Sequence, residues 1–344
     1  MTFDADGPGD GEGLYGLDPH PNPLIRVMAV PWEATASYGR GTSAGPDAIV
    51  RASQQVDLED LEYGPIWRGG IQMVPMETDI SMLNQQACEL AIPIIDAMGV
   101  LPGHGDAARV DGLARQRDQA IHLESHRIFD SDAIPVVLGG DHSSPLGLIE
   151  AASERYQGLG LLHIDAHADL REAYLGFESS HASIMHRALG FSGVGRIVGV
   201  GYRDLGLNEI RRIEANPDRL RAFPDHRIAT ELAQGKPWQQ VVDEIVEALP
   251  RYVHISFDID GLDPSLCPNT GTPVPGGLQY REILVLLRSI SKHRTVVSFD
   301  LCEVAPGQTG DWDANVGARI LYKLAGCASA SRVVPVTPMD DPSV

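Results

Sequence analysis

Three short stretches gather carboxylates and imidazoles in a pattern suited to holding metal ions. The first, HIDAHAD (163–169), sets Asp165, His167 and Asp169 at alternate positions directly after an apolar run. Side chains two apart share one face of an extended chain, so the three converge if the strand continues, and a turn after Asp165 can still gather them. Burying several carboxylates without partners is costly, which argues against an accidental polar turn at the end of such a run. The second, SFDIDGLDPS (256–265), repeats the arrangement with Asp258 and Asp260, then leaves the strand through Gly261 and an Asp263-Pro264 turn. The third, LGGDHSS (138–144), uses Gly139 and Gly140 for a tight exit from an apolar run and then offers Asp141 and His142. It lacks GxxxxGK and GxGxxG, which disfavours a nucleotide P-loop and a dinucleotide fold. Together the stretches supply more charged ligands than one divalent ion needs. Two ions sharing carboxylates, about 3.5–4 Å apart with a hydroxide between them, use such a set well. Carboxylate-rich, cysteine-free ligation suits Mn²⁺, and the imidazoles also admit Ni²⁺, Co²⁺ or Zn²⁺.

These side chains need elements that end in the same place. Candidate strands are 25–30, 71–76, 134–139, 160–165, 197–202, 253–258, 296–301 and 333–338. Many are apolar at nearly every position, as strands covered on both faces are. Helical patterns fall between them, at 46–55, 83–98, 113–129, 145–156, 183–189, 238–249, 280–291 and 314–324. The clearest is WQQVVDEIVEAL, with Val241, Val242, Ile245, Val246 and Leu249 on one broad face. The stretch 184–232 carries a weaker pattern. Alternating strands and helices imply a parallel or largely parallel sheet between helical layers, or a closed barrel; in either, functional loops follow the strand carboxyl ends.

The length of 344 residues, 43% hydrophobic, suits a single folded α/β domain over 24–344, preceded by a Gly-, Asp- and Pro-rich stretch at 1–23 that reads as a flexible leader. No apolar run approaches the ~20 residues of a membrane span, and the N-terminus carries no secretory pattern, so a cytoplasmic location is expected. The four cysteines form no CxxC pair, and Cys302 and Cys327, in apolar surroundings, read as buried free thiols. A net charge of −20 argues against nucleic acid and anionic membranes as partners and is compatible with a cationic substrate.

The set GGDHS, DAHAD and SFDIDGLDP resembles the ureohydrolase family, which includes arginases, agmatinases and related guanidino-compound hydrolases. SYGRGTSAGPDAI resembles its N-terminal loop and following helix, FDLCEVAP its late motif, and WDANVGARILYKLAG an agmatinase-like branch with guanidine-hydrolysing members. The resemblance covers nearly the whole chain from Ile25. It implies a three-layer αβα sandwich around an eight-stranded parallel sheet, and a trimer or hexamer. It also implies one ion held by His142, Asp165, Asp169 and Asp258 and another by Asp165, His167, Asp258 and Asp260, with manganese usual and nickel known in similar members. Asp141 and Asp263 fall to turns or supporting contacts.

By the same resemblance, His181 in ESSHAS matches the proton-shuttling histidine, and Glu303 matches the carboxylate that binds the guanidinium. A carboxylate at a strand exit suits that planar cation, which offers two parallel hydrogen bonds. The expected chemistry is hydrolysis of a guanidino group to urea and an amine. Asp169 accepts a hydrogen bond from the nucleophile, and His181 passes a proton to the leaving nitrogen. Phe177 and Ser179 are expected at the substrate. Phe177 stands where arginases and agmatinases carry a polar residue, and an apolar side chain at the pocket mouth would shorten it. The reading is therefore an agmatinase-like hydrolase, with guanidine, guanidinopropionate and guanidinobutyrate as alternative substrates. Arginase, a metal-dependent deacetylase and a non-catalytic partner subunit rank below these. The segment 79–132 is an interface or lid candidate.

Overall fold

A computed structural model of the chain describes residues 13–101, 103–307 and 309–332. Its strands, in chain order, are Ile25–Val30 (β1), Ile71–Val74 (β2), Ile134–Gly139 (β3), Leu159–Ile164 (β4), Val194–Val200 (β5), Leu220–Phe223 (β6), Tyr252–Asp258 (β7) and Thr295–Cys302 (β8). They form one sheet in the order β2-β1-β3-β8-β7-β4-β5-β6 with every neighbouring pair parallel. Among the described residues the sheet ends at two separate edges, β2 and β6, so it is open and the barrel alternative falls.

Seven of the expected strands lie within a few residues of the observed ones. The eighth expectation, 333–338, falls outside the described residues. The remaining strand of the sheet is β6, inside the stretch whose pattern is weak. It is a four-residue edge strand with only Leu220 and Phe223 buried and Arg221 exposed, so it presents no apolar run.

Helices cover both faces: Gly45–Ser53 (α1), Ile80–Asp96 (α2), Gly105–Asp130 (α3), Leu146–Arg155 (α4), Ile184–Ala188 (α5), Leu207–Ala215 (α6), Asp225–Ala233 (α7), Trp238–Ala248 (α8), Tyr280–His293 (α9) and Trp312–Ser331 (α10). Alternation along each strand divides the core. In β4, Leu162 and Ile164 join residues of α1, α8, α9 and α10, while Leu159 and Leu161 join residues of α4 and α5 on the other face. Beside the latter, Met28, Val30 and Val137 pack against α2 and α3. Three layers result.

The segment 79–132 is thus two long helices in an outer layer, begun by Asp79, whose side chain accepts from the Met82 amide. Within the stretch expected to be a leader, Leu14 and Tyr15 are buried, and the Tyr15 hydroxyl donates to the Ala318 carbonyl; residues 1–12 lie outside the described set. Among the described residues no helix is long and apolar enough to cross a membrane.

Candidate metal centre

Four adjacent central strands, β3, β8, β7 and β4, end side by side, and each delivers part of one cluster at its carboxyl end. β3 runs into the loop that carries Asp141 and His142, β8 into Glu303, β7 into Asp258 and Asp260, and β4 into Asp165, His167 and Asp169. The carboxyl ends of a parallel sheet are where such folds expose backbone loops for chemistry.

The loop after β3 is held tightly. A Cβ on Gly140 would lie 2.2 Å from the Trp32 carbonyl oxygen, so only glycine lets the chain pass there. Asp141 Oδ1 accepts from the Ser143 amide and hydroxyl, as a turn residue does. Arg117, reaching in from α3 with no exposure, donates to Ser143 Oγ (2.8 Å) and the Ser143 carbonyl (2.9 Å), to Asp118 Oδ1 (2.7 and 3.0 Å), and stacks on Trp32. His142 is thereby fixed between two clamped neighbours.

Its ring is oriented from behind. Nε2 pairs with Ser256 Oγ at 2.9 Å, and Nδ1 faces three carboxylates: Asp165 at 3.0 Å, Asp258 at 3.2 Å and Asp169 at 3.4 Å. A hydrogen-bonded second ring nitrogen is how proteins fix a ligating imidazole. A second group lies alongside. His167 Nδ1 is 3.3 Å from Asp165 Oδ1 and 3.1 Å from Asp260 Oδ2. Ligand atoms of His142, His163, Asp165 and Asp169 all fall within 4.8 Å of one another, as do those of Asp165, His167 and Asp260. Asp165 belongs to both groups. Asp258 ties them, its Oδ1 accepting from the Asp260 amide while Oδ2 faces His142.

The electrostatics favour a cation. Asp165, Asp258 and Asp260 are each almost fully buried and Asp169 is 5% exposed. Burial, and then the charges of Asp260 and Asp165, push Asp258 well above the usual carboxylate range. Burial and Asp165 likewise raise Asp260. Asp165 goes the other way: burial would raise it, but the His163 charge and hydrogen bonds from His142, His163 and His167 hold it well below. Burial opposes charge on His167, yet Asp260 and Asp165 push it up to about 12. The imidazoles here take up the positive role, and divalent cations would relieve the same repulsion more fully. The donor set, six nitrogen- or oxygen-bearing side chains with Asp165 common to both groups and Asp258 between them, fits two such ions.

Asp169 and Glu303 both adopt positive φ, 52° and 63°, uncommon for non-glycine residues and of the kind found at functional sites. Glu303 is 8% exposed and accepts from the His142 amide at 2.9 Å. Burial, and then the Asp141 charge, raise its pKa well above normal. A bound cation would restore its charge.

A cavity of about 310 Å³ opens over the cluster. His142, His167, Asp169, Asp258 and Glu303 form its floor, with His181, Tyr38, Arg171, Tyr174, Asp204 and Glu209 among the residues around them. His181 is placed by Thr35, whose Oγ1 accepts from its amide at 3.2 Å and lies 3.3 Å from its Nδ1. Phe177 and Ser179 are not in this wall, a correction to the sequence expectation. Phe177 is 1% exposed and packs in the apolar cluster under α2 and α3. The Ser179 amide donates to Asp111 and its hydroxyl accepts from Arg187. Their loop turns both inward, and Tyr174 lines the cavity instead.

His163 is the participant the sequence reading passed over. Fully buried, it pairs Nδ1 with the Tyr202 hydroxyl at 2.7 Å and sets Nε2 2.9 Å from Asp165 Oδ2. Its signal was the same alternation, two residues before Asp165.

The chain and its fold are similar to those of known proteins. A family model described as the arginase family matches residues 24–326. The chain is 34% identical over 311 residues to an N(1)-aminopropylagmatine ureohydrolase from Thermus thermophilus, covering 90% of this chain and 91% of that protein. Its fold matches the agmatine ureohydrolase of Thermoplasma volcanium with a TM-score of 0.71 at 22% identity, over 93% of this chain and 94% of that one. It also matches proclavaminate amidino hydrolase from Streptomyces clavuligerus with a TM-score of 0.73 at 22% identity, over 94% and 99%.

Proposed function

The chain belongs to the arginase family, and on that premise we propose an agmatinase-like enzyme whose substrate carries a second cationic group beyond its guanidinium. The coarser activity is hydrolysis of a guanidino compound by a dinuclear metal centre, giving urea and an amine.

His142, Asp165, Asp169 and Asp258 would hold one ion, and Asp165, His167, Asp258 and Asp260 the other. The carboxylate-rich set favours Mn²⁺, with Ni²⁺ the alternative. When bound, the ions supply Lewis acidity and lower the pKa of water, so that a nucleophile is available near neutral pH. Glu303 binds the guanidinium through parallel charge-assisted hydrogen bonds and presents its central carbon to the cluster. Asp169 accepts a hydrogen bond from the nucleophile. A C–O bond forms at the central carbon, the C–N bond to the side chain breaks, and its electron pair takes a proton delivered through His181, directly or through water. Water is consumed; urea and the amine leave.

Three observations support the cationic tail. The outer wall includes Asp204, exposed at the mouth, together with Glu209 and two tyrosines. Phe177, the one residue that argued for a short pocket, is buried elsewhere. The relative at 34% identity is named for a substrate with an aminopropyl tail. A trimer or hexamer is the expected assembly. The test is urea release from agmatine, N(1)-aminopropylagmatine, arginine, guanidine, guanidinopropionate and guanidinobutyrate, with enzyme loaded separately with Mn²⁺ or Ni²⁺. The highest kcat/KM is expected for one of the two diamine-type substrates. Greater activity on guanidine or a guanidino acid would overturn the tail assignment, and silence on all six would overturn the reaction.

A further inference from the structure

Away from the cluster, α3 and α4 meet at a second convergence of ligand atoms. His122 and His126 stand four residues apart on α3, which places them on one face. Glu154 reaches them from the last turn of α4. Glu154 Oε2 lies 2.9 Å from His122 Nε2 and 2.8 Å from His126 Nε2, and the two nitrogens are 3.3 Å apart. The rings meet edge to face, 4.6 Å between centroids. We propose that His122, His126 and Glu154 form a third divalent-metal site, separate from the dinuclear centre and selective for an imidazole-seeking ion of the Zn²⁺ class.

The triangle has the right size. A tetrahedral Zn²⁺ with bonds of about 2.0–2.1 Å has edges of about 3.3 Å between ligand atoms, so the present spacing opens by about 0.5 Å at most on two sides. Without an ion, both imidazole nitrogens crowd one carboxylate oxygen, and that single negative charge can balance only one imidazolium. With an ion, each nitrogen turns a lone pair inward and the carboxylate supplies charge. Side-chain exposures of 23%, 34% and 50% leave an entry path and room for a water as fourth ligand. Two imidazoles and one carboxylate favour Zn²⁺, Ni²⁺ or Cu²⁺ over Mn²⁺ by ligand softness, whereas the dinuclear centre is rich in carboxylate.

The helices are already close. A Cβ on Gly147 in α4 would lie 2.1 Å from the Asp118 carbonyl of α3, so glycine permits their contact. The same two helices hold the loop of His142: α3 through Arg117, and α4 because it begins where that loop ends. An ion at Glu154 therefore staples the support of a catalytic ligand without touching substrate.

The experiment uses the full-length assembly, stripped with chelator and loaded with Mn²⁺, then titrated with ZnCl₂ and desalted before elemental analysis. The wild type should retain one more Zn²⁺ per chain than His122→Gln/His126→Gln and show a Zn²⁺-dependent rise in Tm that the double variant lacks. His126→Gln alone should weaken that binding at least tenfold. In an Asp258→Asn background, which disables the dinuclear centre, the additional ion should remain. Equal Zn²⁺ content in wild type and double variant would overturn the proposal, as would loss of the additional ion with Asp258→Asn.

Discussion

Arg117 tests whether the His142 loop is held by what lies beneath it. Arg117→Met keeps much of the side-chain volume and removes the guanidinium, stranding buried Asp118 and the Ser143 carbonyl. Removing one partner of a buried ion pair costs about 3–5 kcal/mol, chiefly through the charge left behind. At about 2.1 cal/mol/K per residue, a chain of 344 residues unfolds with an entropy of about 0.7 kcal/mol/K, so Tm should fall by about 4–7 °C. Scanning calorimetry of the metal-loaded protein measures this. Retained metal should fall with it, because Ser143 adjoins His142. Arg117→Lys, a charge without the planar fork, should recover part of the stability. A Tm within about 1 °C of wild type, with metal content unchanged, would refute the clamp.

Two further expectations follow from placement and charge. Phe177→Asn should behave as a core substitution, costing at least the ~3–5 kcal/mol of a buried Phe truncation while leaving the rank order of substrates intact; a changed rank order with unchanged Tm would return Phe177 to the pocket. Asp60 should contribute to acid sensitivity: burial acts to raise its pKa, but the Lys323 hydrogen bond and the Tyr63 and Glu62 amides hold it below the usual value. Its stabilisation is present above the unfolded pKa of about 3.9 and lost as pH falls through the lower folded value, so Asp60→Asn should flatten the Tm-against-pH curve below about pH 4.

The centre of the molecule was legible in the sequence because burial writes plainly. β3, β4, β7 and β8 are covered on both faces, so apolar residues dominate them and the carboxylate clusters at their ends stand out. The candidate ligands Asp165, Asp258 and His142 are visible for that reason. The periphery was less so. β6 is an exposed edge, and α6 and α7 beside it have mostly open surfaces, with Leu207 and Ile210 in solvent. Helix ends also differ from the sequence pattern: α3 begins eight residues before the periodic stretch, and α10 runs on through small residues to Ser331. Loop direction left no trace in the sequence. Nothing in GFESSHAS signals that Phe177 turns to the core while His181 faces the cavity; tertiary packing decides it.

Among the described residues β8 is the last strand along the chain, yet it lies in the middle of the sheet, between β3 and β7. All six candidate ligands precede residue 295. During synthesis they are therefore made before the strand that sets the distance between His142 on one half-sheet and the aspartates on the other. Tight ion capture is then a late event, arriving when β8 slots between the halves, and a polypeptide halted short of it carries every ligand but no centre.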